Sequence, residues 1–187
     1  MREEIQKALM VLKNGGLILY PTDTIWGIGC DASNNNAVQK IIDIKKRGIS
    51  KSFIVLVENE RRLERTIEDI PDAAWDLIKY TDKPLTIIYD KPKGIANNAI
   101  NSDNSLGVRL VRDPFCEGLI KELNRPIIST SANLSGQSSA KCFSDISKEI
   151  KNSVDHIVNL RQNENESRQS SSIIKLDSSG LIKIIRA

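Results

Sequence analysis

The chain has 187 residues, 40% of them hydrophobic, 27% charged and 4% aromatic, with a net charge of +3. That length suits one domain, residues 1–187, with a sizeable core of Ile, Leu, Val and Ala, and the small charge gives no ground by itself for a nucleic-acid partner. Cys30, Cys116 and Cys142 form no CxxC, and the charged start Met1-Arg2-Glu3-Glu4 precedes no long apolar run, so zinc, redox-pair and membrane classes are set aside and a reduced, cytoplasmic protein is expected.

Ile5, Ala8, Leu9 and Leu12 recur at helical spacing, and Asn14-Gly15-Gly16 stops that helix. Leu17–Tyr20 reads as a buried strand ended by Pro21, and a polar, glycine-bearing loop follows to about Asn34. Ala37, Val38, Ile41 and Ile42 mark the next helix, which ends in Lys45-Lys46-Arg47-Gly48. Phe53–Val57 is a strand, Glu58–Asp69 and Asp72–Lys79 supply two short helices, and Leu85–Tyr89 is a strand. After a loop over 91–104, Leu106–Val111 is a strand, and Phe115, Cys116, Leu119, Ile120 and Leu123 line one helix face. Ile127-Ile128-Ser129 is a strand, and Phe143, Ile146 and Ile150 mark a helix. Residues 161–170 hold no apolar side chain and read as a mobile loop, before a strand pair formed by Ser172–Leu176 and Leu181–Ile185 around Asp177-Ser178-Ser179-Gly180. Strands alternating with helices predict an α/β layered fold with a mixed sheet.

The only histidine, His156, stands near a strand start, which reads as an edge position. Ser-His-Asp, Cys-His and His-ligated zinc chemistries would all have to pass through it and are therefore not the leading ideas. Five segments carry more. Ser129-Thr130-Ser131-Ala132-Asn133-Leu134-Ser135-Gly136 crowds hydroxyls, an amide and a glycine where a strand ends, which suits phosphate oxygens or a plain polar turn. Pro21-Thr22-Asp23-Thr24-Ile25-Trp26 leaves another strand end with two hydroxyls and a flat wall. The following Gly27-Ile28-Gly29-Cys30-Asp31-Ala32 matches the dinucleotide fingerprint literally, but six residues including Pro21 separate it from the strand, so the geometry is wrong. Lys45-Lys46-Arg47-Gly48-Ile49-Ser50-Lys51 either complements a helix dipole or converges on polyphosphate. Arg109, inside an apolar strand, is either half of a buried ion pair or a carboxylate anchor, and Arg186 is either a frayed charge or a site residue.

Taken together and in order, PTDTIWGIGCD, KKRGISKSF, SLGVRLVRDP, STSANLSG, SSSIIKLD and IIRA resemble the YrdC/TsaC family of L-threonylcarbamoyladenylate synthases from about Ile5 to Arg186. The resemblance implies a twisted mixed α/β sheet with flanking helices around a deep basic cavity. It implies nucleotidyl transfer that joins L-threonine, bicarbonate and ATP into L-threonylcarbamoyl-AMP and pyrophosphate, for t6A modification of tRNA by a partner machinery. Thr24, Arg109, Ser129 and Ser171 would hold L-threonine. Arg47 and Lys51 would carry the catalytic charge on the ATP phosphates, with Lys45, Ser105, Ser131, Asn133 and Arg186 completing the nucleotide site. No protein metal site is expected, and magnesium would arrive with ATP. Trp26, Leu56 and Asp113 depart from the family's usual tyrosine and histidines, which bears on affinity and amino-acid choice. A non-catalytic RNA-binding module of the same fold, using Arg109, Arg112 and the basic run, is the alternative, and a dinucleotide-dependent oxidoreductase is a third reading.

Overall fold

The computed structural model describes residues 1–45, 53–164, 168–177 and 180–187. Helix α1, Arg2–Lys13, buries Ile5, Ala8, Leu9 and Leu12 along the expected face. Gly15 then adopts φ +70°, a turn conformation that suits glycine, and β1 follows at Ile18–Tyr20, fully buried.

The stretch read as loop contains a second strand, β2, Gly27–Asp31, antiparallel to β1 with Tyr20 opposite Gly27. Glycines weaken a strand signal, yet here the packing requires one. A Cβ on Gly29 would lie 2.6 Å from the Tyr20 ring and 2.7 Å from the Ile128 carbonyl oxygen.

The next elements are α2 (Asn35–Lys45), β3 (Ile54–Val57), α3 (Glu60–Thr66), α4 (Asp72–Tyr80), β4 (Leu85–Asp90) and β5 (Ser105–Leu110). α5, Pro114–Leu123, starts with proline in its first turn, and the Asp113 side chain accepts the Cys116 N–H at 3.0 Å. β6 is Ile127–Ser131. The helix read through Phe143 to Ile150 divides into a 3-10 turn, Phe143–Asp145, and α6, Lys148–Asn152. Ser147 causes the break: its hydroxyl accepts from the Ile150 N–H and starts a new helix. β7 (His156–Ile157), β8 (Ser172–Leu176) and β9 (Ile182–Arg186) complete the described elements.

The strands form one nine-stranded sheet in the order β7-β1-β2-β6-β3-β5-β4-β8-β9. β1/β7, β3/β5 and β4/β8 run parallel and the other neighbours antiparallel, so the expected mixed sheet is present. One face meets α2, α3 and α4 through Ile28, Val55, Val57, Leu106 and Val108, all buried. The other face is covered in part by α1 and α5, which bury Tyr20, Leu56 and Ile127. Gly118 lets those helices close up, since a Cβ there would stand 2.8 Å from Ile5 Cδ1. Each such buried Leu or Ile contributes about 1.5–3 kcal/mol. The rest of that face is left open, and the cavity described below occupies it.

The polar segment 161–170 is anchored at its head. Arg161 donates to the Asp113 carboxylate at 2.6 Å and to the Thr22 carbonyl at 3.3 Å. Asp113 thus caps α5 and fixes the start of a segment that its composition marked as mobile. No described helix is long and apolar enough to cross a membrane.

Candidate active site

Strand register builds the floor of the cavity. Gly29 pairs with Ser129, Ser129 with Ile54, Ile54 with Gly107, and Gly107 with Ile88, a row across five strands. Side chains two residues apart on one strand share a face, so Gly27, Ser131 and Arg109 join this row. Gly107 keeps the floor low: a Cβ there would meet the Phe53 carbonyl oxygen at 3.3 Å. Above the row lies a cavity of about 210 Å3.

Thr24, Arg109, Ser129, Ser131, Ser171 and Arg186, predicted as site residues, all line it. They come from five separate stretches of sequence. Each is held in place by named contacts. Thr22 orients Thr24: its hydroxyl accepts the Thr24 N–H at 3.0 Å, lies 2.9 Å from the Thr24 hydroxyl and donates to the Ile25 carbonyl at 2.9 Å. Ser171 and Thr86 pair through their hydroxyls at 2.8 Å. Arg186 reaches inward from β9 and donates to the Ser171 carbonyl through Nε at 2.9 Å and Nη2 at 2.7 Å. Partial desolvation of the guanidinium and the neighbouring Arg109 charge lower its pKa from the ordinary arginine value.

Arg109 answers both of its open readings. Its Nη2 donates to Asp23 Oδ1 at 3.0 Å in a pair that is 4% and 11% exposed, so the buried charge is balanced. Its Nε is buried with no partner among the described residues. One edge of the guanidinium is thus fixed, and a donor remains for a ligand. Arg109 and Arg186 are the charged side chains of the described cavity lining, which includes no Asp or Glu. Such a site favours an anion.

Three expected nucleotide residues lie outside the cavity wall. Lys45, 1% exposed, donates to the Ser131 carbonyl at 2.6 Å, to the Asn133 carbonyl and to Asn133 Oδ1 at 3.3 Å. The Asn133 amide in turn donates to the Leu134 and Gln137 carbonyls. Both residues brace the turn after β6. Ser105 donates to Asp103 at 2.5 Å and accepts from the Asn101 amide at 3.0 Å. Arg47 and Lys51, with Lys46, Gly48 and Ser50, lie outside the described residues, as do Ser178 and Ser179.

Sequence reasoning missed Thr86, Ser139 and Ser170 in the wall and Asp23 behind it. Asp23 was visible as the charged residue within Pro21-Thr22-Asp23-Thr24, but its partner is 86 residues away. Trp26 forms a wall as expected, with its ring tilted 46° against that of Phe143 and the centroids 4.8 Å apart.

A family model described as telomere recombination, Sua5/YciO/YrdC, matches residues 10–187. The chain belongs to the Sua5/YciO/YrdC family. It is 32% identical over 153 residues to a protein of Hahella chejuensis named threonylcarbamoyl-AMP synthase, a match covering 81% of this chain and 83% of that protein. It is 34% identical over 137 residues to the threonylcarbamoyl-AMP synthase of Pseudomonas aeruginosa, covering 73% of this chain and 74% of the other. Among solved structures, P. abyssi Sua5 complexed with L-threonine superposes with a TM-score of 0.81 at 25% identity, over 92% of this chain and 50% of that one. The chain thus spans about half the length of that Sua5. E. coli YciO shares the fold, with a TM-score of 0.86 at 22% identity over 100% of this chain and 89% of the other. The sheet and helices described above are those of this family.

Proposed function

We propose that the chain is a nucleotidyltransferase that makes L-threonylcarbamoyl-AMP and pyrophosphate from L-threonine, bicarbonate and ATP, supplying the machinery that installs t6A on tRNA. The observation that carries this reading is the cavity itself: two guanidiniums, one with an unpartnered buried N–H, ringed by hydroxyls and free of acidic side chains among the described lining residues. The names of the Hahella and Pseudomonas relatives and the threonine bound to P. abyssi Sua5 point the same way.

In this reading the amino-acid carboxylate lies on Arg109, and Thr24, Ser129 and Ser171 surround its amine and side chain. The amine attacks the bicarbonate carbon and water leaves, giving a carbamate. A carbamate oxygen then attacks the α-phosphorus in line, the bond to the β-phosphate oxygen breaks, and pyrophosphate departs. The described lining residues include no histidine and no cysteine, and this chemistry asks for neither a histidine base nor a covalent nucleophile. It depends on positioning and on stabilising the phosphate charge. Arg186 and Ser131 would face the nucleotide, and Arg47 and Lys51 are assigned to the phosphates by resemblance. Lys45 and Asn133 act by shaping the turn that presents Ser131. Magnesium would enter with the triphosphate, since the cavity wall offers it hydroxyls but no carboxylate among the described residues.

Mass spectrometry after incubation with ATP, bicarbonate and L-threonine tests the proposal. The expected result is the mixed carbamate–phosphate anhydride with one pyrophosphate per molecule. Absence of both from a folded, magnesium-supplied sample would refute it.

A further inference from the structure

Two buried atoms on the cavity side of the sheet lack a partner among the described residues: the Tyr20 hydroxyl and Arg109 Nε. Tyr20 is 0% exposed. A buried polar group left without a partner costs about 1–3 kcal/mol, so native folds hold few of them and usually for a reason.

The glycines of β2 put the phenol where it is. The Tyr20 ring lies over β2, where a Cβ would stand 3.7 Å from ring carbon Cε1 at Gly27 and 2.6 Å at Gly29. Phe115 stands beside it, with centroids 6.5 Å apart. The same Gly27 position would meet Ser129 Oγ at 2.9 Å, so ring and serine hydroxyl flank one glycine. Burial, with Cys116 nearby, pushes the phenol well above the usual tyrosine range, while the Ser129 hydroxyl and the Arg109 guanidinium pull it down. The phenol therefore stays protonated, a donor, and its ring edge and the Ser129 hydroxyl both border the Gly27 position.

The hydrogen-bond inventory is then lopsided. Tyr20 brings one donor, Arg109 Nε one, and Ser129 one donor and lone pairs to accept with. We propose that Tyr20 is a positioning residue of a buried oxyanion subsite: it donates to Ser129 Oγ, which turns the Ser129 proton toward the same planar carboxylate-type oxyanion that Arg109 Nε binds. The inference rests on the proposed reading of the cavity and deepens it. Two occupants share this chemistry, the carboxylate of the amino acid and free bicarbonate.

Tyr20→Phe keeps the ring and removes only the hydroxyl. Calorimetric titration with L-threonine and with threoninol, which lacks the carboxylate, is compared with the bicarbonate KM. If the amino acid fills the subsite, threonine affinity falls about tenfold, the equivalent of one hydrogen bond, and threoninol affinity is unchanged. If bicarbonate fills it, its KM rises by a similar factor and threonine affinity holds. In either case ATP affinity holds, so the loss is confined to the ligand that fills the subsite. Unchanged constants for both ligands overturn the proposal. So does a lowered midpoint with parallel loss for threonine, threoninol and ATP, which marks a structural hydroxyl. Formate titrated into the unmodified protein separates the two readings. Formate binding that Tyr20→Phe weakens, without threonylcarbamoyl-AMP formation, refutes the function and retains the subsite. No binding of formate, threonine or bicarbonate refutes both.

Discussion

Strands β4 and β5 divide two cavities of opposite character. On one side Ile87, Tyr89, Val108 and Leu110 face a slot of about 280 Å3, closed by Leu63 of α3 and Ile78 of α4. On the other, Thr86, Gly107 and Arg109 face the hydroxyl-rich cavity of about 210 Å3. Strand alternation alone makes the partition, since neighbouring residues point to opposite sides. The slot is the larger, yet the strand residues facing it are mostly apolar and its charged groups, Asp23, Asp82, Lys83 and Arg112, come from outside the strands. The smaller cavity holds Arg109 Nε, a buried donor with no partner among the described residues. Volume does not locate chemistry here; unsatisfied donors do. Asp23 joins the two sides, with Oδ1 on Arg109 and Oδ2 accepting the Arg112 N–H at 3.3 Å.

The contrast breaks most sharply at Arg109. Arg109→Ala should cost about 2–5 kcal/mol of threonine affinity, part of it from the stranded Asp23 carboxylate. Calorimetric titration reads this directly, and affinity equal to that of the unmodified protein would place the ligand elsewhere.

The β2 glycines sharpen it next. Gly29→Ala drives a Cβ into the Tyr20 ring and a backbone carbonyl, and should cost about 1–3 kcal/mol in denaturant unfolding. Gly27→Ala meets chiefly a rotatable hydroxyl, that of Ser129, at 2.9 Å, with the Thr130 carbonyl oxygen farther off at 3.3 Å. It should weaken threonine binding more than it weakens the fold. Equal stability losses from the two would show that Ser129 is not free to turn.

The smallest effect belongs to the slot. Ile87→Val should lower stability by about 0.5–1.5 kcal/mol, read by the same unfolding curves, with threonine affinity unaltered. A loss of affinity would join the two cavities into one functional unit.

Much of this site is legible in the linear sequence, because hydroxyl and guanidinium groups announce themselves by type. Thr24, Arg109, Ser129 and Ser131 stand out that way, Ser171 and the site role of Arg186 come from the resemblance of their motifs to the family's, and all six meet around one space. What the sequence withholds is which donors the fold has already used. Lys45 looks as available as any lysine, and only tertiary contacts across 86 and 88 residues commit its ammonium to the turn after β6. Asp23 and the paired roles of Gly27 and Gly29 are hidden for the same reason: each acts through a neighbour distant in sequence. β2 itself escaped notice because the glycines that weaken its strand signal are those its packing needs. The fold class needed less, since alternating strands and helices are a local property.

One wall of the cavity is the edge strand. β9 bonds only to β8 among the described strands, all five of its residues are exposed, and it carries Arg186 into the site. Peripheral strands with few buried contacts unzip at lower free energy than those at the centre of a sheet. Loosening of that margin would carry Arg186 away from the cavity while β6, β3 and the helices behind them stay in place.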